Sequence, residues 1–262
     1  MNYAVEFENI SFVRNGVRIL DNVSLNIGTG ESVAVIGPNG SGKTSLIKLL
    51  KGDIRPYFDE LVRTKCKMFG EERWNIFDLR KRMGVVSTEL QSRFKDNVSV
   101  GAVILSGFFR TTDIYKDHQI TDDMINASEN AAERAGICDK LARETGKLSL
   151  GEMRRTLIAR ALVPGPSMLL LDEPMTGLDI VVKNEFKKMF DSLIKNGTGI
   201  IMITHDLEDI PSGIERIIMM KDGKIFADGN KKELLNDRMI SDLFSSSITV
   251  TSDNGTYRMR PL

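Results

Sequence analysis

Gly37-Pro38-Asn39-Gly40-Ser41-Gly42-Lys43-Thr44 decides how this chain folds. The stretch fits the phosphate-binding pattern G-x-x-x-x-G-K-[ST] at every fixed position. Ahead of it, Ser32-Val33-Ala34-Val35-Ile36 reads as a buried strand, and from Thr44 to Leu50 the chain reads as a helix. That order aims backbone N–H groups and the positive end of a helix dipole at one point, where phosphate oxygens can sit. Lys43 is placed to reach the β- and γ-phosphates, and the Thr44 hydroxyl to ligate Mg²⁺. The expected cradle runs from Gly37 to Ser45.

A second element narrows the chemistry. Leu169-Leu170-Leu171-Asp172-Glu173 is an apolar strand that ends in two carboxylates. Asp172 can hold Mg²⁺, directly or through water, and Glu173 is placed to polarise a water for in-line attack on the γ-phosphate. About twenty residues upstream, Leu148-Ser149-Leu150-Gly151-Glu152 precedes a helix carrying Arg154, Arg155 and Arg160. A serine and a glycine at a helix start can bind an anion, although the same residues also make an ordinary N-cap.

Taken in order, the P-loop, Leu-Ser-x-Gly-Glu, the Asp172-Glu173 strand end, Gly177-Leu178-Asp179 and Thr204-His205-Asp206 resemble the ABC (ATP-binding cassette) ATPase family over essentially the whole chain. The resemblance implies that Ser149, Gly151 and Glu152 form a signature facing the γ-phosphate of ATP held by an opposite protomer. It implies that Asp179 lies in a loop crossing the dimer interface, and that His205 senses the γ-phosphate. His118 carries no such context and is expected to be structural.

Three positions depart from the family pattern. Alignment through Leu20 and the Asn15-Gly16 turn puts Arg14 where an aromatic residue commonly stacks on adenine. A guanidinium can also stack on a base, and Phe12 is the other candidate. The glutamine that would complete the Mg²⁺ and catalytic set does not directly follow the Met83-Gly84-Val85-Val86 strand. The run Val86-Ser87-Thr88-Glu89-Leu90-Gln91 is similar to molybdate-type cassettes and assigns the role to Gln91. The signature reads Ser-Leu-Gly-Glu, with Leu150 and Glu152 in place of glycine and glutamine.

Periodicity around these motifs gives an α/β fold: a P-loop NTPase core with a mostly parallel sheet, an N-terminal antiparallel β-subdomain and an inserted α-helical subdomain. In the first subdomain, residues 1–30, short apolar runs centre on Val5–Ile10, Val17–Leu20 and Val23–Ile27, with a hairpin at Asn15-Gly16. Residues 31–96 and 166–240 supply the core, with strands at 83–86, 168–171, 199–203 and 216–220 and a further one around Leu61–Phe69. The basic run Arg80-Lys81-Arg82 reads as a solvated face.

In the insertion, residues 97–165, helices are expected over Val100–Phe109, from an N-cap at Thr121 to Gly136, and around Met153–Leu162. The second of these would carry Met124, Ile125, Ala131, Ala132 and Ala135. A helix with Val182, Phe186, Met189, Phe190 and Leu193 ends at Gly197. Residues 245–262 form a hairpin about Asp253-Asn254-Gly255 that needs a surface to dock on.

Composition bounds the partners. The 262 residues include 36 basic and 36 acidic side chains, so no overall charge draws the chain to nucleic acid or to an anionic membrane. Cys66 and Cys138 lack metal-ligand spacing, which suits a reduced cytoplasmic setting. No apolar run reaches the ~20 residues of a membrane span, and the first residues do not read as a signal peptide. Any membrane role would come through a partner.

The expected activity is ATP hydrolysis with Mg²⁺ by one of two identical protomers. These would drive a separate integral-membrane permease through the helical subdomain, at the inner face of the cell membrane. A soluble single-cassette ATPase of the iron–sulfur assembly type fits the same length. A scaffold that binds ATP without turnover is opposed by Glu173. In importers of the resembled kind the ATPase does not touch the cargo, so the cargo is not written in these residues.

Overall fold

A computed structural model describes residues 2–57, 61–112, 118–253 and 255–262. In chain order the elements begin β1 (Tyr3–Arg14), β2 (Val17–Gly28), β3 (Val33–Ile36), α1 (Lys43–Leu50), β4 (Lys65–Met68), α2 (Ile76–Arg82) and β5 (Met83–Val86). They continue with α3 (Thr88–Gln91), α4 (Val100–Phe109), α5 (Asp122–Ala135), α6 (Leu150–Leu162), β6 (Met168–Asp172), α7 (Ile180–Lys195) and β7 (Gly199–Ile203). The chain closes with β8 (Arg216–Lys221), β9 (Lys224–Asn230), α8 (Lys231–Leu234), α9 (Asp237–Phe244), β10 (Ile248–Asp253) and β11 (Thr256–Pro261).

The central sheet has the order β5-β6-β7-β3-β8-β9, parallel except for the edge strand β9. Its pleat explains why the strands are apolar throughout. On β3, Ala34 and Ile36 enter one core, while Val33 and Val35 enter the other. The same division separates Leu169 and Leu171 from Met168 and Leu170 on β6, and Ile217 and Met219 from Ile218 and Met220 on β8. Side chains alternate faces at period two, so a sheet covered on both sides needs apolar residues at every position. The first core is closed by α4, α5, α6, α7 and α9, and the second by α1 together with β1 and β2.

The antiparallel layer differs in detail from its sequence pattern. The three apolar runs of residues 3–27 form two long strands, joined through Asn15 at φ 52° and Gly16 at φ 77°. Asn22, at φ 51°, kinks β2 without ending it, and its N–H donates to Ser11 Oγ at 3.1 Å. The strand expected over Leu61–Phe69 shrinks to β4, which pairs with β1 only from Val5 to Glu8. Asn9 sits at φ 54° and its amide donates to the Arg63 carbonyl at 3.1 Å, so regular pairing stops there.

The expected helices are present, with Thr121 capping α5 through the Met124 N–H and Gly136 ending it at φ 68°. Ile125 is a correction: it is 43 % exposed, and Ser128 takes the buried position on that face. The basic run 80–82 forms the last turn of α2, where cations favour the helix dipole. His118 stacks on Phe109 with ring centres 4.0 Å apart. The β10–β11 hairpin docks on the core side: Val250 N–H donates to Asp237 Oδ1 at 2.7 Å, and Arg258 Nε lies 3.2 Å from Glu208 Oε1. Asn254, at its turn, lies outside the described residues.

Candidate active site

Three adjacent strands deliver the candidate residues at their C-terminal ends, the usual place for ligands in open α/β sheets. β3 leads into residues 37–44, β6 ends on Asp172 followed by Glu173, and β7 is followed by Thr204 and His205.

The loop is pressed onto the sheet. A Cβ at Gly37 would stand 2.2 Å from the Met220 carbonyl oxygen and 2.9 Å from Ser41 Oγ. Gly42 starts α1 at φ 100°, where a Cβ would meet Leu20 Cδ2 at 2.9 Å. Only glycine fits either place. The Ser41 carbonyl accepts from Gly223 N–H at 3.1 Å, tying the loop to the β8–β9 turn. Pro38 and Ser45 are half-buried, and Asn39, Gly40 and Thr44 are exposed.

Lys43 is buried, and its ammonium donates to the carbonyls of Gly37 at 2.6 Å and Pro38 at 2.8 Å. A lysine ammonium has three donors, which leaves one for a ligand. Burial holds its pKa below the ordinary lysine value, opposed by the charges of Glu173 and Asp172. Ser41 Oγ is buried in the same loop and has no hydrogen-bond partner among the described residues.

Burial pushes the Asp172 carboxyl up, Glu173 adds to this, and Lys51, Arg154 and Lys43 pull it down. Glu173 adopts φ 46°, a backbone conformation that costs a non-glycine residue about 1–3 kcal/mol. Its N–H donates to the Ile203 carbonyl at 2.9 Å, which anchors it to the neighbouring strand. The carboxylate is held from both sides: Oε2 accepts from Thr176 Oγ1 at 3.2 Å, and Oε1 lies 3.0 Å from His205 Nδ1. Thr204 and Asp206 fix the following turn, Asp206 N–H donating to Thr204 Oγ1 at 3.1 Å.

The 149–152 segment forms a complete capping box. Ser149 Oγ accepts from Glu152 N–H at 3.2 Å, and Glu152 Oε2 accepts from Ser149 N–H at 2.7 Å. That backbone hydrogen bond is the main reason the Glu152 carboxyl is held below the usual carboxylate range. Gly151 sits against α7, where an added Cβ would meet Val182 Cγ1 at 3.1 Å. Asp179 caps α7, its Oδ1 accepting from the N–H groups of Val181 at 2.9 Å and Val182 at 3.0 Å.

The structure thus brings Lys43, Asp172, Glu173 and His205 together, and sets Gly151, two residues after Ser149, against the start of α7 that Asp179 caps. Ser149 Oγ bonds within its own helix start, whereas Glu152 Oε1 also pairs with Lys140 at 3.4 Å and Arg143 at 3.7 Å. Gln91 ends α3, and its Oε1 is buried with no hydrogen-bond partner among the described residues. Arg14 is exposed at the end of β1, whereas Phe12 packs on the second core. Sequence reasoning gave no role to Thr176 or Arg154. Thr176 carries no local pattern. Arg154 did carry one: it stands three and four residues before Leu157 and Ile158, on the buried face of α6.

Residues 20–176 match the family model described as ABC transporter. The chain is 29 % identical to the uncharacterized ABC transporter ATP-binding protein YmeB of Lactococcus lactis, covering 98 % of both chains. It is 30 % identical to the hemin import ATP-binding protein HmuV of Escherichia coli, covering 97 % of this chain and 96 % of HmuV. Among solved structures it is similar to cbiO1 of Clostridium perfringens, part of the ABC transporter complex cbiONQ. That similarity has a TM-score of 0.79 at 27 % identity, over 92 % of this chain and 94 % of cbiO1. These relatives favour the transporter reading over a soluble assembly ATPase. The chain belongs to the ABC transporter family, as an ATP-binding subunit that hydrolyses ATP.

Proposed function

We propose that this chain binds ATP·Mg²⁺ across residues 37–45, hydrolyses it as one of two identical protomers, and thereby drives a separate membrane permease. One observation carries the reading: the buried Lys43 cradle, the Asp172-Glu173 pair and His205 share one end of the sheet. A nucleotide fits there, because Lys43 keeps a free donor, Ser41 Oγ is an orphaned buried hydroxyl, and Gly37 leaves no side chain in the way. Thr44, Asp172 and Gln91 offer the hard oxygen donors that Mg²⁺ takes. When bound, the metal neutralises charge on the β- and γ-phosphate oxygens.

The chain's residues then divide the work. Backbone N–H groups of residues 37–45 and Lys43 bind the phosphates. Glu173 accepts the proton of the attacking water, whose oxygen bonds to the γ-phosphorus as the β–γ bridge bond breaks. His205 holds the Glu173 carboxylate in place and faces the γ-phosphate. Arg14 stacks on adenine, since Phe12 is engaged in the core. Ser149 and Gly151 contact the γ-phosphate of the opposite protomer, Glu152 sets the helix start that presents them, and Asp179 lies at the crossing. Exposed apolar residues flank these positions: Ile180 and Val181 are 64 % and 65 % exposed, and Leu150 is 38 % exposed. A partner surface accounts for them.

Beside the Gln91 segment, away from the P-loop, lies a groove of about 210 Å³. Among the described residues, Lys51, Arg80, Arg93, Arg110 and Arg160 line it with Asp53 and Glu89. Arg110 Nε is buried there without a hydrogen-bond partner among the described residues. This groove suits an acidic segment of the permease, contacted through the 97–165 helices and residues 31–96. With no helix long and apolar enough to cross a membrane among the described residues, membrane attachment at the cytoplasmic face falls to that partner. The division into residues 1–30, 31–96 with 166–240, 97–165 and 245–262 belongs to the same reading, and the hemin-import relative supports uptake as the direction.

Lys43→Ala should abolish ATP binding measured by calorimetry, while the protein keeps its melting temperature within a few degrees. Unchanged affinity would overturn the assignment of the loop. Purification from detergent extract should recover a polytopic membrane protein with this chain, and recovery of soluble partners only would overturn the coupling.

A further inference from the structure

The His205 side chain is 50 % exposed and meets Glu173 Oε1, so the place of its ring depends on the backbone that carries it. On one side of it, Thr204 N–H donates to the Val35 carbonyl of β3 at 3.2 Å. On the other, Asp206 leads the chain into the 207–209 turn, its Oδ1 accepting from Glu208 N–H at 3.0 Å. That second side is fastened by α7. Lys183, Lys187 and Asp191 stand at i, i+4 and i+8, along one face of the helix, and each grips the segment that follows His205. Lys183 Nζ donates to Asp206 Oδ2 at 3.3 Å and lies 2.7 Å from Asp209 Oδ1. Lys187 Nζ donates to the Glu208 carbonyl at 3.1 Å. Asp191 accepts from Ser212 Oγ and from Gly213 N–H, both at 2.7 Å. Of the three, Lys183 reaches the residue next to His205.

The Lys183 contact is also the one with the most charge at stake. Asp209 is 3 % exposed, and burial pushes its carboxyl up, Lys183 pulls it down, and Asp206 adds to the rise. Two carboxylates on one turn, one of them buried, repel each other unless a cation meets both. Apolar side chains would fasten the turn without that cost. A cation shared by Asp206 and Asp209 instead fixes where Asp206 stands, and with it the residue before it. Lys183 N–H donates to the Asp179 carbonyl at 2.9 Å, so the seat of His205 is tied to the first turn of the helix that Asp179 caps.

We propose that Lys183 is a positioning residue for ATP hydrolysis: by holding Asp206 and Asp209 together it seats His205 against Glu173. The proposal rests on the role given to His205 above. Lys183 acts through His205 and takes no part in the chemistry itself.

Steady-state ATPase assays with calorimetry test this in the full chain. Lys183→Met should lower kcat by about 5–10-fold with the ATP·Mg²⁺ Kd kept within about twofold, and Lys183→Arg, which keeps the cation, should recover most of the rate. In the His205→Ala background Lys183→Met should lower kcat no further, because no imidazole is left to seat. Lys183→Met strands the buried Asp209 carboxylate, so a second variant, Lys183→Met with Asp209→Asn, guards against misfolding. It should regain the wild-type melting temperature and keep the low kcat, whereas a merely structural role would restore the two together. A wild-type kcat in Lys183→Met, or losses that multiply in the double variant with His205→Ala, would overturn the proposal. A wild-type kcat in His205→Ala would overturn the role of His205 itself. Activity lost in His205→Ala and kept in Lys183→Met would overturn the Lys183 proposal alone.

Discussion

Glu173 Oε1 and His205 Nδ1 stand 3.0 Å apart and bridge the ends of two neighbouring strands. With Thr176 on the other carboxylate oxygen, Glu173 is held in one orientation before any ligand arrives. In its proposed role of general base, a carboxylate positioned in advance contributes to rate and adds little to affinity. Glu173→Gln should therefore lower kcat by about 10²–10³-fold with ATP affinity kept within a few-fold. His205→Ala should lower kcat by a smaller factor, because it frees the carboxylate without removing it. Steady-state ATPase assays paired with calorimetry read both, and a matching rise in Kd would contradict the separation.

Ser149 caps a helix and is proposed to contact the opposite protomer, and the two roles can be measured apart. Its Oγ caps α6, so Ser149→Ala should cost about 1 kcal/mol in denaturant unfolding. The same substitution should also weaken association of two ATP-loaded protomers, while Glu152→Gln, which retains an acceptor for the Ser149 N–H, should associate normally. Loss of stability with undisturbed association would reduce Ser149 to a cap.

Arg155 joins three helices. It donates to the Ala135 carbonyl at 2.9 Å and to Glu185 at 2.7 Å, and its guanidinium lies 4.8 Å from the centre of the Phe186 ring. Arg155→Met should cost about 1.5–3 kcal/mol of stability, since hydrogen bonds to a charged group are lost and the Ala135 carbonyl is left without its donor. Equilibrium urea unfolding measures it, and a change below about 0.5 kcal/mol would show that the helices hold without it.

The two cysteines should react differently. Burial pushes the Cys66 thiol up to about 12, whereas Cys138 is exposed. Since the thiolate is the nucleophile, iodoacetamide at about pH 8 should alkylate Cys138 at least ~10-fold faster than Cys66 in the folded chain. The folded state keeps the Cys66 proton where an unfolded thiol, at about 8.5, has lost it. Stability from this group is therefore present below about pH 8.5 and falls as pH rises towards 12. Equal alkylation rates by peptide mass mapping would contradict the burial.

How far the sequence could be read follows from the physics of each segment. The P-loop, the Asp172-Glu173 strand end and the buried strands were legible because backbone geometry there admits few residue types: glycine beside Met220, and apolar side chains on both faces of one sheet. The edges were less legible. β9 alternates half-buried and exposed residues on the rim of the sheet, and β4 depends on where Asn9 interrupts β1. Neither is fixed by its own residues. Within the site, the Glu173–His205 contact joins residues 32 apart in sequence, and Thr176 enters only because Glu173 turns at positive φ. Ile125 shows the converse: an apolar residue at helical spacing lies outside the core, while Ser128, Ala131, Ala132 and Ala135 make the buried face of α5.

The most direct measurement is the mass of the Glu173→Gln protein by size-exclusion chromatography with light scattering, with and without ATP·Mg²⁺. The account predicts a monomer of about 29 kDa without nucleotide and a dimer with it, the dimer lost when Ser149→Ala is added. A protein that binds ATP and stays monomeric would contradict the claim that two of these chains close on nucleotide by themselves.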